Sequence, residues 1–147
     1  FNEDDARIMG RAAAGVKGID IGSDDEVVGL VRCDAGDALL TVTQNGYGKR
    51  TSLDDYLVHS EDGSTRPQGR GGKGRIDIKT NSRNGRVVAV RPVRDGDGAV
   101  FVTQNGQLIR TSVDEISRMG RNTQGVRVVR LRETDSLVAM ARVVTDE

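Results

Sequence analysis

The residues with the strongest claim to chemistry in this chain are basic, and they alternate with glycine. Gln68-Gly-Arg-Gly-Gly-Lys-Gly74, followed by Arg75, sets Arg70, Lys73 and Arg75 around Gly71, Gly72 and Gly74. Glycine lets a backbone approach a phosphate closely with its N–H groups, while the cations supply charge. Two more segments share the outline. One starts at Met9 and carries Arg11 and Lys17; the other starts at Met119 and carries Arg121 and Arg127. Lys49, Arg50 and Arg110 stand on neighbouring strand-like segments as secondary candidates. Residues 69–74 formally fit G-x-G-x-x-G, but that dinucleotide fingerprint must follow a strand and open a helix. Here Ser64-Thr-Arg-Pro-Gln precedes it and strand-like Arg75–Ile78 follows, so the dinucleotide reading is rejected. A Walker loop is rejected as well, because Gly74 stands where Ser or Thr must follow the lysine.

The charge totals balance. The 147 residues hold 22 Lys+Arg and 22 Asp+Glu, so no uniform basic field attracts polyanions. Placement is uneven, however. Residues 66–94 carry nine basic side chains against one acid, Asp77, whereas residues 1–37 carry nine acids and four bases. Arginine outnumbers lysine 18 to 4, and guanidinium suits forked contact with phosphate. Catalysis is poorly served. Cys33 is the single cysteine, which excludes a disulfide framework or thiolate cage, and reads as a small core or near-surface hydrophobe. His59 is the single histidine, which removes most zinc and Ser-His-Asp chemistry, and reads as a solvated loop residue. Tyr47 lies beside an Asn-Gly turn, Tyr56 reads as packing, and Asp24-Asp25-Glu26 as a solvated turn. No catalytic residue, metal or cofactor is assigned. No apolar run approaches the ~20 residues that span a bilayer, and no secretory signal is evident, so the expected compartment is a reducing cytoplasm. A first residue of Phe1 points to a fragment or a processed product.

Positioning these side chains falls to a repeated β unit. Residues 27–56 and 87–116 match at an offset of 60, sharing Val-Val, Gly-Asp, Val-Thr-Gln-Asn-Gly and Arg-Thr-Ser in register. Ala38–Thr43 and Ala99–Thr103 read as strands leading into Asn45-Gly46 and Asn105-Gly106, which predict type I′ hairpin turns. The return strands run through Lys49–Ser52 and Leu108–Ser112. Val27–Val31 and Val87–Val90 read as strands covered on both faces. Single turns are expected at Asp34–Asp37, Asp54–Tyr56, Arg94–Asp97 and Asp114–Ile116, and a linker at 59–68. With 3% aromatic residues and no Trp, the core must be aliphatic. The predicted fold is all-β: a propeller-like array of four-stranded blades, a partial disc of about three, with repeat units at roughly 7–60, 66–117 and 118–147.

The box Gln68–Gly74 resembles the Q-R-R-G-G-K-G box of the C-terminal domain of the DNA gyrase A subunit, with Gly69 replacing an arginine. Thr43-Gln-Asn-Gly-Tyr-Gly-Lys-Arg-Thr51, Glu115-Ile-Ser117 and Gly120-Arg-Asn-Thr-Gln-Gly-Val126 resemble its later blades, so the likeness covers essentially the whole chain. The family's full box lies near the start of the domain. Gln68–Gly74 is therefore read as a box-like loop of a later blade. The resemblance implies a β-pinwheel, a disc of blades that exchange a strand with their neighbours. It also implies that duplex DNA wraps on a basic rim, presenting a positive crossover to the catalytic core so that strand passage yields negative supercoils. Gln68, Arg70 to Arg75, Arg11, Lys17, Arg121 and Arg127 would then face DNA at equivalent points, with Lys49, Arg50 and Arg110 as lesser contacts. The implied partners are duplex DNA, the gyrase A N-terminal core and the gyrase B subunit, within the cytoplasmic nucleoid and with no membrane. The chain itself would be a non-catalytic part of an ATP-dependent type IIA topoisomerase, since the family's tyrosine nucleophile and metal-binding acids lie in other domains. The alternatives are a propeller-like protein-interaction scaffold and the corresponding C-terminal domain of topoisomerase IV.

Overall fold

The computed structural model describes residues 1–145. Nine strands follow in chain order: β1 (Ala38–Thr43), β2 (Tyr47–Ser52), β3 (Val58–His59), β4 (Thr65–Arg66), β5 (Val87–Val93), β6 (Gly98–Thr103), β7 (Leu108–Ser112), β8 (Val126–Arg127) and β9 (Leu137–Val143). Four single 3-10 turns, at Glu3–Asp5, Cys33–Ala35, Leu53–Tyr56 and Val113–Glu115, complete the regular structure, with no α-helix among the described residues. The chain forms two compact units. The first is Phe1–Val27 with Tyr56–Arg75, and the second is Val28–Asp55 with Ile76 onward.

In the second unit the hairpins form as the alternating apolar runs require. β1 pairs with β2 from Ala38↔Ser52 to Val42↔Gly48, and β6 pairs with β7 from Gly98↔Ser112 to Val102↔Leu108. Each hairpin then receives a strand from later in the chain. β5 adds to β1 from Ala38↔Val93 to Thr43↔Val87, and β9 adds to β6 from Gly98↔Val143 to Thr103↔Leu137. Both ladders shift register at the same point, between Val42 and Thr43 and between Val102 and Thr103. The resulting sheets have the orders β5-β1-β2-β8 and β7-β6-β9. Leu40, Val42, Val93, Phe101, Val113, Ile116 and Leu137 are fully buried between them, an aliphatic core with one phenylalanine.

Three local expectations need correction. Val27–Val31 forms no strand, and Val27 and Leu30 are 67% and 90% exposed. β5 and β9 each dock on the hairpin that precedes them, and residues 1–26 form no hairpin to receive this one. The turn at Asn45-Gly46 is not type I′. Gly46 has φ +82° and donates its amide to Thr43 O at 3.0 Å, while Asn122 is the single described non-glycine with positive φ. This is a three-residue loop, a type I turn closed by a left-handed glycine, and Gly106 (φ +81°) repeats it. The amides of Gln44 and Asn45 are thereby turned outward to Arg86 O and Asn84 O at 2.8 and 3.1 Å. Finally, the linker-like stretch from His59 folds into the ribbon β3–β4, with Val58↔Arg66 and His59↔Thr65 paired; His59 itself is exposed, as is Cys33.

Lys49 and Arg50 also change role. They stand on β2, which β1 and β8 flank, and their charges are used inside the unit. Lys49 is 0% exposed; its ammonium donates to Asp77 O at 2.8 Å and Gly120 O at 2.7 Å, and lies 3.2 Å from Asp77 Oδ1. Arg50, 7% exposed, donates to Ile116 O at 2.7 Å and Asp95 Oδ1 at 2.7 Å. Neither reaches a surface where DNA could touch it. Hydrogen bonding from Arg118, reinforced by its charge and by Arg50, holds the Asp95 carboxyl below its usual range. Removing one partner of a buried pair strands the other. Lys49→Met is therefore expected to lose about 3 kcal/mol in urea unfolding, and a loss within experimental error would refute this structural role.

Candidate nucleic-acid interface

In the first unit the box-like loops at 9–18 and 68–75 are laced together. Arg70 donates from Nε to Asp5 O at 3.1 Å and from Nη1 to Lys17 O at 2.6 Å. Beside it, Gly71 N donates to Gly18 O at 2.8 Å and Asp20 N to Gly72 O at 2.9 Å. Gly71 and Gly74 have φ of +79° and +76°, a backbone path that L side chains rarely adopt, so the turn requires glycine at these two positions. Arg75 is anchored in turn, donating to Leu57 O at 3.0 Å and to the half-buried Gln68 side chain at 3.3 Å. Lys17 pairs with Asp20 at 2.8 Å, an exposed contact worth little in water. Arg11 and Lys73 are exposed and have no ion pair among the described residues.

The second unit builds the same device with different residues. Arg121 donates from Nε to Asp55 O at 2.7 Å and from Nη1 to Ile76 O at 3.1 Å. Asn122 N donates to Asp77 O at 2.6 Å, and Lys79 N to Thr123 O at 2.8 Å. Arg121-Asn122-Thr123 thus repeats the role of Arg70-Gly71-Gly72. Asn122 has φ +59°, and asparagine is among the few residues that tolerate this region. Arg70 and Arg121 are each a fork gripping two backbone carbonyls. That grip is the role that a reading of these residues purely as phosphate ligands misses. Both arginines remain half-buried, with further N–H donors beyond those the carbonyls take.

Arg127, exposed on β8, donates to the Tyr47 hydroxyl at 3.0 Å and stands over its ring, 5.4 Å from the centroid. Arg83, which the sequence does not single out, joins it. Its Nε donates to the same hydroxyl at 3.2 Å and its guanidinium lies 4.9 Å from the ring centroid. The loop that carries Arg83 is fixed by Asn45, which donates to Ser82 O and Arg83 O at 3.2 and 3.1 Å. The buried Asn84 side chain holds the loop from the other side, donating to Lys79 O and Gln124 O at 2.8 and 3.1 Å. The Asn84-Gly85 dipeptide is the sequence signal that marks this turn. The hydrogen bonds from Arg83 and then Arg127 hold the Tyr47 phenol below tyrosine's ordinary range. Arg110 on β7 is exposed and lines a separate shallow hollow with Gly96 and Asp97.

A family model described as the DNA gyrase C-terminal domain, beta-propeller, matches residues 1–34, 37–62, 66–94 and 99–143. The chain is 47% identical over 143 residues to the DNA gyrase A subunit of Salmonella typhimurium and 44% identical over 143 residues to that of Escherichia coli K12. In both cases 97% of this chain is covered but only 15% of the relative. A solved DNA gyrase A C-terminal domain superposes with a TM-score of 0.81 at 27% identity, covering 95% of this chain and 45% of that one. The C-terminal domain of a DNA topoisomerase IV shares the fold, with a TM-score of 0.79 at 21% identity, covering 97% of this chain and 42% of that one.

If the box arginines are forks, a lysine cannot replace them, because one ammonium does not match the planar geometry that spans two carbonyls. Arg121→Lys is expected to cost about 1 kcal/mol of stability, whereas Lys73→Ala leaves the thermal midpoint unchanged. Equal midpoints for Arg121→Lys and the parent chain would sink the fork.

Proposed function

The chain belongs to the family of DNA gyrase C-terminal, beta-propeller domains, and on that premise we propose that it forms part of the surface on which the gyrase A protein wraps duplex DNA. The observation that carries the reading is the twice-built box-like loop. In each unit a forked arginine and a left-handed turn shape a loop around basic side chains. Arg11, Lys73, Arg110 and Arg127 are exposed with no carboxylate partner among the described residues. Such a surface contacts phosphates and leaves base edges unread, so sequence enters through the bendability of the duplex. Smoothly bending a duplex of about 20–30 base pairs by roughly 40–90° costs on the order of 1–6 kcal/mol, and many weak contacts must offset it.

In the assembled enzyme the wrapped duplex would present a positive crossover to the N-terminal core of gyrase A and to gyrase B. Strand passage by those parts would then give negative supercoils, at the nucleoid in the cytoplasm. This chain's residues would bind and bend; the chemistry of cleavage would lie elsewhere.

The test is duplex binding by the chain across a salt series. Each neutralised phosphate contributes about −0.9 to the slope of log affinity against log salt. We expect a steep slope, little sequence preference, and a slope shallower by about 0.9 in Lys73→Ala. A flat slope, or no binding at low salt, overturns the reading.

A further inference from the structure

The cleft beside Tyr47 has chemistry that the box-like loops do not explain. It is an open cleft of about 320 Å³, and Asn45, Tyr47, Arg83, Arg127 and Arg132 are among the residues that line it. Arg83 and Arg127 bring two like charges to one phenol, and no carboxylate forms an ion pair with either among the described residues. Two cations held together without a counter-charge are costly unless an anion is to be placed between them. What holds them is neutral. The Tyr47 oxygen accepts from both guanidiniums, which uses its acceptor capacity and leaves its own O–H as a donor. Tyr47 is 5% exposed and cannot swing away, and the Asn45 amide pins the backbone of Arg83. Two acids also line the cleft. Glu133 is solvent-exposed, and Asp135 already accepts from the amides of Asn105 and Ser136 at 3.1 and 2.8 Å.

We propose that this cleft is a phosphate site, in which Arg83, Arg127 and the Tyr47 hydroxyl grip one backbone phosphate of the bound duplex. The identity of the ligand as duplex DNA rests on the wrapping reading; the site's preference for a phosphate group rests on the cleft alone. Tyr47 here positions two guanidiniums and adds a third donor, and no covalent step is involved.

Tyr47 supplies its own reporter, because the chain has two tyrosines and no tryptophan. Tyrosinate absorbance is titrated on the 147-residue chain in chloride, then at equal ionic strength with inorganic phosphate, then with a short duplex. Tyr47→Phe assigns the signal against Tyr56. In chloride Tyr47 ionises below the ordinary tyrosine midpoint of about 10. A bound phosphate neutralises the cations that lower it, so both phosphate and duplex are expected to move the midpoint upward, and Arg83→Gln to abolish the response. Arg127→Gln is the second variant, and both side chains are exposed, so the fold does not hinge on them. A midpoint unmoved by either anion overturns the proposal. Duplex that binds with a steep salt slope yet leaves the midpoint in place also overturns it, while the wrapping reading stands. A response to inorganic phosphate with no duplex binding keeps the anion site, removes DNA as its ligand and defeats the wrapping reading.

Discussion

The outer edge of each hairpin must be covered, and that constraint organises the rest of the second unit. An open β edge is a row of unsatisfied amides and carbonyls. Here β5 closes the edge of β1 and β9 that of β6, each a largely apolar strand that arrives from beyond the hairpin it serves. This exchange explains why the compact units cut across the sequence repeats. It also explains the apolar run at the start of β5, which pairs with β1 and sets Ala89 and Val93 in the core with Val88 packed beside them. On the other edge of the first hairpin, β8 meets β2 at Tyr47↔Arg127 and Gly48↔Val126, and that short bridge is what delivers Arg127 to Tyr47.

Charge in this molecule divides into populations that composition cannot separate. Lys49 and Arg50 are internal fasteners, held by carbonyls and carboxylates. Arg70 and Arg121 are intermediate, half-buried with the guanidinium on two backbone carbonyls. Arg11, Lys73 and Arg110 are exposed. A single arginine type spans this range because its planar fork can satisfy carbonyls on one side while remaining charged on the other.

The hairpins, the short turns and the all-β class are legible in the sequence because each is written locally, in alternation and in Asn-Gly. What is not legible depends on partners distant in sequence. Val27–Val31 and Val87–Val93 have similar wording, and they differ in that a hairpin among the described residues accepts only the second. Asn45-Gly46 reads as type I′ because a dipeptide does not reveal that the loop has three residues. Lys49 and Arg50 look like surface cations until the loop 117–123 is laid along β2. The box loops announce themselves through their glycines, yet Arg83 stays inconspicuous because its significance comes from Tyr47, 36 residues away.

The distance between a hairpin and its closing strand is also a distance in time. The first hairpin is complete at Ser52, but the edge of β1 stays open until Val87 and the residues after it have been made. At the usual pace of synthesis, about 5–20 residues per second, that gap lasts roughly two to seven seconds. During that time the nascent chain carries a paired hairpin with one bare flank, and crowded ribosomes on the same message present identical flanks to one another. A chaperone arriving at this stage would meet a hairpin already correct in register, and its task would be to keep that edge unoccupied until its own strand arrives.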